Sequence, residues 1–161
     1  VKFERVHDYP APASEVLAML LDPAFREAVC ASQDALSHSV SVSSSEPPST
    51  VEVRQRQDTS DAPGAARKVI GDSVETVQHE EWTSADAARL DISIPGKPGH
   101  LRGRITLVDN GDGTSTELFD AEVKVNIPLV GGKLEGLIGK ILGSGLRRER
   151  ETGLRWLAGD R

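Results

Sequence analysis

At 161 residues the chain has room for one domain, taken as 1–161, with one sizeable core. Charged residues make up 27% of it and apolar residues 37%, a mixture that excludes collagen, a membrane bundle and a wholly disordered tail. Lys and Arg number 19 against 25 Asp and Glu, and the net charge of -6 works against phosphate backbones and anionic lipid surfaces, so no nucleic acid is expected as a partner.

Alternation over 1–9, with Phe3, His7 and Tyr9 on one parity, predicts a first strand. Pro10 and Pro12 stop it. Ser14 is placed to cap a short helix carrying Val16, Leu17, Met19, Leu20 and Leu21, and Asp22-Pro23 opens a second helix with Phe25, Val29 and Cys30 on one face. Cys30 is the lone cysteine, so no disulfide can close within the chain, and VKFERVHDYP lacks the basic-then-apolar order of a secretory leader. The expected compartment is the reducing cytoplasm.

After Ala35 the period becomes two. Leu36, His38, Val40 and Val42 alternate with serines, and beyond the turn residues 44–49 Val51, Val53, Gln55 and Gln57 alternate with Glu52, Arg54 and Arg56, which predicts a hairpin. Residues 58–67 read as a Pro- and Gly-containing connector. Strands are expected over 72–82, 89–94, 101–108 and 114–127, the last two joined by Asn110-Gly111-Asp112-Gly113, whose Asn and Gly residues tolerate positive φ. Seven strands in mostly sequential order suggest an antiparallel meander.

From Leu129 the period is helical again, and a long helix is expected from about residue 130 to about 157, with Leu134, Leu137, Ile138 and Ile141 facing the sheet. Lys133, Glu135 and Lys140 interrupt its apolar half, and a spanning helix needs about 20 mostly apolar residues, so no transmembrane segment is expected. Arg147, Arg148, Arg150 and Arg155 sit toward its C-terminus, where positive charge suits the helix dipole, with phosphate binding as the alternative reading. Gly132, Gly136, Gly139 and Gly143 form a stripe almost opposite the leucines. Each interior glycine costs about 1 kcal/mol relative to alanine. Three accounts stay open: close packing against the chain's own loops or short helices, compositional drift, or a face for weak homodimerisation or for a membrane surface.

Strand, two short helices, six antiparallel strands and a long final helix describe an α+β layer architecture in which a curved sheet wraps the helix. This order resembles the helix-grip fold of the START and Bet v 1-like (SRPBCC, polyketide cyclase-like) superfamily. The segments HDYPAPASEVLAMLLDPAFREAV, ARKVIGD, EEW, IPGKPG and VKVNIPLVGGKLEGLIG look more narrowly like an actinobacterial family of uncharacterised proteins within it. The resemblance implies a cavity between sheet and C-terminal helix that suits a small hydrophobic ligand, a lipid or a polyketide-like compound. The walls of such a cavity would come from the sheet residues His38, Val40, Val53, Gln55, Gln78, Leu90 and Ile92. Ile105, Phe119 and Val123 would continue them, and the final helix would add Leu134, Leu137, Ile138 and Ile141.

His38 occupies the apolar parity, and as a residue it fits a hydrogen-bonded core histidine, a ligand contact or a catalytic base. His7 is weighed the same way, while His79 and His100 read as surface or rim residues. No histidine has a second donor at a metal-ligand spacing, and no nucleotide-binding glycine loop or nucleophile motif is present, so neither metal nor cofactor is expected. Gln55, Gln57 and Gln78 are either inward amides that orient a ligand or strand ends protruding into solvent. Glu80 and Glu81 point to opposite faces and read as a solvated rim. Three functions stay in view: a noncatalytic binding module, a polyketide cyclase or aromatase, and an interaction protein with a filled core.

Overall fold

The computed structural model describes residues 1–129 and 131–161. Its elements are β1 (Lys2–Tyr9), α1 (Ala13–Leu20), α2 (Pro23–Ser32), β2 (Ser37–Val42), β3 (Ser49–Asp58), α3 (Gly64–Ile70), β4 (Ser73–Ser84), β5 (Ala87–Ser93), β6 (Gly99–Asp109), β7 (Ser115–Val125) and α4 (Gly131–Leu157). The strands form one antiparallel sheet in the order β1-β7-β6-β5-β4-β3-β2. Six successive strands make a meander, and β1 closes its far edge against β7. α4 lies across the concave face, packed on β7, α2 and β1.

Local chemistry explains most of the boundaries. At the β6–β7 turn Gly111 and Gly113 have φ of +79° and +86°, a region that suits glycine, and Asp109 and Asp112 accept the N–H groups of Gly111 and Thr114. Asp22 caps α2 by accepting the Ala24 N–H at 2.9 Å, with Pro23 at the first helical position. α1 differs from expectation. Ser14 does not cap it; Pro12 precedes the helix, and the free N–H of Ala13 is taken at 3.0 Å by the Asp109 carboxylate from the far end of β6.

Two further differences bear on function. The expected connector over 58–67 contains the start of α3, which apolar periodicity does not announce. Val130, where the final helix was expected to begin, lies outside the described residues. The buried face of α4 is also not the expected one. Leu134 and Ile138 are buried, but so are Gly139, Gly143, Leu146, Glu149 and Gly153, whereas Leu137 is half-buried and Ile141 is 43% exposed. At about 100° per residue the buried arc is turned by roughly a quarter turn toward the glycines. The reason is close approach of β1. An added Cβ at Gly143 would meet the Arg5 guanidinium, and one at Gly153 would meet Tyr9. Gly139 and Gly143 are therefore covered by the chain itself, while Gly132 and Gly136 face open space, so the four glycines do not form one exposed stripe.

Candidate functional site

The inward parity of β3 and β4 determines what the concave face presents. Val51, Val53, Gln55 and Gln57 pair across the ladder with Glu80, Gln78, Thr76 and Val74. Along β3 the row passes from valines to glutamines, and its β4 partners run the opposite way, from Glu80 and Gln78 to Thr76 and Val74. At the Gln55 and Gln57 end of β3, between β3–β5, the segment just before α3 and the middle of α4, lies a cavity of about 500 Å³. Val74, Ile92, Ile141, Leu142 and Leu146 supply its apolar wall, and Ala62 and Pro63 border it just before α3. Gln33, Gln55, Gln57, Gln78 and Thr76 supply polar groups, and Asp34, Asp58, Asp61 and Arg148 stand at exposed positions around it. Such a volume fits a small organic molecule.

The amides are ordered. Gln33 donates to the Gly145 carbonyl at 2.9 Å, Gln55 donates to Gln33 at 2.8 Å, and Gln57 donates to Gln55 at 3.2 Å. Gln78 donates to Glu80 at 2.6 Å. That last bond connects the cavity to a charged cluster in the core. Arg26 reaches Glu80 through two hydrogen bonds of 3.0 and 2.8 Å, Glu149 at 3.3 Å and the Leu20 carbonyl at 2.8 Å. Trp82 donates to Glu80 at 2.9 Å. Glu117 lies beside the cluster, its Oε1 3.5 Å from His7 Nδ1.

Burial governs the protonation of this cluster. It pushes the Glu117 carboxyl up to about 8, with the neighbouring Glu80 adding to the effect and Arg26 opposing it. It pushes Glu149 up to about 7, again against Arg26. Burial also holds His7 below its ordinary value, and its neutral ring packs edge-on to Phe119 at 5.1 Å between centroids. The Cys30 thiol is raised to about 11, first by burial, which removes it as a nucleophile at neutral pH. None of these groups borders the cavity.

Of the residues expected to wall a ligand site, Gln55, Gln78, Ile92 and Ile141 line the cavity. Val53, Leu90, Ile105, Phe119, Val123, Leu134 and Ile138 are instead buried in the packed core. Val40 and Leu137 are half-buried against that core. His38 stands outside the cavity. It sits on the edge strand β2, which α2 covers, and its Nε2 pairs with Glu27 of that helix. Glu80 is likewise no rim residue, being 1% exposed. Thr76 and Val74, missed in the sequence, share the parity of Gln78 and could have been found by extending its alternation along β4. Gln33 and Leu146 carry no such local signal. Among the described residues no group of three His, Cys, Asp or Glu is placed to hold a metal ion, and no helix is long and apolar enough to cross a membrane.

A family model described as a protein of unknown function, DUF2505, matches residues 4–157. No curated protein matches the sequence. Several solved structures share the fold. TTHA0849 from Thermus thermophilus is 18% identical with a TM-score of 0.61, over 94% of this chain and 96% of its own. A START superfamily protein from Mycobacterium smegmatis is 15% identical with a TM-score of 0.60, over 97% and 98% of the two chains. The Zhui aromatase/cyclase from Streptomyces sp. R1128 is 11% identical with a TM-score of 0.61, over 96% and 91%. At these identities the likeness is one of fold, the START-like helix-grip architecture.

Proposed function

The chain belongs to the DUF2505 family, and from the partly open cavity between its sheet and final helix we propose that it is a binding module for a small, largely apolar molecule, lipid or polyketide-like, rather than an enzyme. The observation that carries this reading is the cavity of about 500 Å³, whose lining interleaves aliphatic residues of β4, β5 and α4 with the amides of Gln33, Gln55, Gln57 and Gln78. The apolar wall supplies affinity through burial, and the amides fix orientation. The protein fold shared with an aromatase/cyclase also accommodates catalysis, which needs a proton-transfer group beside the bound substrate. Here the titratable residues at the cavity are Asp34, Asp58, Asp61 and Arg148 on its exposed border. The carboxyls tuned toward neutral pH, Glu117 and Glu149, are sealed behind the lining. Binding therefore accounts for the geometry better than turnover does.

Native mass spectrometry of protein purified from its own host tests the proposal, together with titration by an uncharged environment-sensitive fluorophore such as N-phenyl-1-naphthylamine. A copurified small molecule is expected, along with saturable probe binding that Ile141→Trp blocks. Absence of both a copurified mass and probe binding would overturn it.

A further inference from the structure

Resting on this binding reading, we infer that the cavity selects a non-anionic amphiphile whose polar end donates hydrogen bonds, an alcohol, phenol or protonated amine, over a carboxylate of the same length. The argument begins with which way the amides point. A backbone carbonyl only accepts, so Gln33 turns its Nε2 to Gly145 and its Oε1 to Gln55. Gln55 in turn presents Oε1 to the Nε2 of Gln57. The row is thus polarised in one direction, and its open end is the Oε1 of Gln57. Gln78 is fixed from the other side. Both oxygens of Glu80 accept from Arg26, and one also from Trp82, so it is the Gln78 Nε2 that faces Glu80 and the Gln78 Oε1 that is left for the cavity. Both open ends are carbonyl oxygens, which call for a donor.

Charge points the same way. Three carboxylates, Asp34, Asp58 and Asp61, border the cavity against one cation, Arg148. Among the described residues the Asp34 and Asp61 side chains enter no hydrogen bond or salt bridge, and the backbone N–H of Ser60 holds Asp58 below its usual range. A hydroxyl meets a matching acceptor and, through the second N–H of an amide, a donor. A carboxylate can take only those second N–H groups, leaves the carbonyl oxygens without a donor, and faces three carboxylates against one guanidinium.

Calorimetric titration of the full chain at pH 7 with dodecanol, dodecylamine and dodecanoate, each below its aggregation threshold, reads this directly. Dodecanol should bind about tenfold or more tightly than dodecanoate. Dodecylamine tighter than dodecanol would mark the preferred head as cationic, and the reverse as a hydroxyl; either agrees with the inference. Asp34→Asn combined with Asp61→Asn, both at exposed positions on the cavity border, should narrow the ratio of dodecanol to dodecanoate affinity by raising dodecanoate binding. Gln57→Leu should lower dodecanol affinity. Dodecanoate binding as tightly as dodecanol overturns the inference and leaves the cavity reading standing, whereas no binding by any of the three overturns both.

Discussion

Arg26 on α2 and Glu80 on β4 meet in the core through two hydrogen bonds of 2.8 and 3.0 Å, each side chain about as buried as the leucines around it. The pair ties the short helices to the middle of the sheet, and Glu149 brings α4 to the same guanidinium. Three layers of the fold thus share one cation.

Removing that cation should be costly. Arg26→Met leaves Glu80 and Glu149 without their main partner in a site closed to water, and breaking such a pair typically destabilises by about 3 to 5 kcal/mol. Urea unfolding measures it. A loss under about 1 kcal/mol would mean that the carboxyls simply take up protons and that the cluster contributes little to cohesion.

The cluster should also make stability fall with rising pH around neutrality. Folded Glu117 keeps its proton to about pH 8, whereas its ordinary value is 4.5, so between these limits the folded state binds more protons than the unfolded state. Stability then declines as pH rises and levels off above the folded value. Glu149, raised to about 7, adds to the decline at lower pH, where His7 acts in the opposite sense because its folded value lies below 6.5. The window from pH 7 to 8 therefore reports mainly on Glu117, with an expected loss of about 1 kcal/mol. Denaturant midpoints at the two pH values check this, and Glu117→Gln should flatten the profile. A flat wild-type profile contradicts the assignment.

The glycines of α4 should divide in two. Gly136 has nothing near the position of a Cβ, so Gly136→Ala should stabilise by up to about 1 kcal/mol through helix propensity alone. At Gly153 a Cβ would fall 2.9 Å from Tyr9 Cε1 and 3.2 Å from Met19 Cε, and the Tyr9 ring is 1% exposed. Overpacking there should outweigh the propensity gain, with Gly153→Ala losing about 1 to 2 kcal/mol. Thermal melts of the two variants should move in opposite directions; shifts of the same sign would remove close packing as the reason for glycine at 153.

The sheet was legible because strands carry a period of two and turns carry their own chemistry, so β2 to β7 could be placed from serine alternation, paired prolines and the Asn-Gly stretch. The rotation of α4 was not. Apolar periodicity locates the leucines, but here Ile141 faces a cavity and glycine lets β1 approach, which inverts the usual link between hydrophobicity and burial. The buried charges were hidden by a prior that reads carboxylates as surface. Parity alone held the contrary signal, since Glu80 shares its face with Gln78 and Trp82, and Glu117 shares its face with Phe119. α3 escaped because Gly64-Ala65 and Arg67-Lys68 carry no apolar repeat.

His38 and Ile141 give the sharpest binding test. His38 occupies the inward parity of β2, yet α2 lies over that edge, so the imidazole meets Glu27 and not the cavity. The pair is partly exposed, and such pairs contribute about 0 to 1 kcal/mol. His38→Leu should therefore leave both probe affinity and melting temperature nearly unchanged. Ile141→Ala should behave differently. Ile141 is 43% exposed and borders the cavity, so truncation leaves no closed void and stability should fall by less than about 1 kcal/mol, while apolar wall is lost and probe affinity drops. Fluorescence titration of both variants beside wild type separates the effects. If His38→Leu weakened binding and Ile141→Ala did not, the ligand would sit at the β2 edge under α2, and the cavity between β3–β5 and α4 would not be the site.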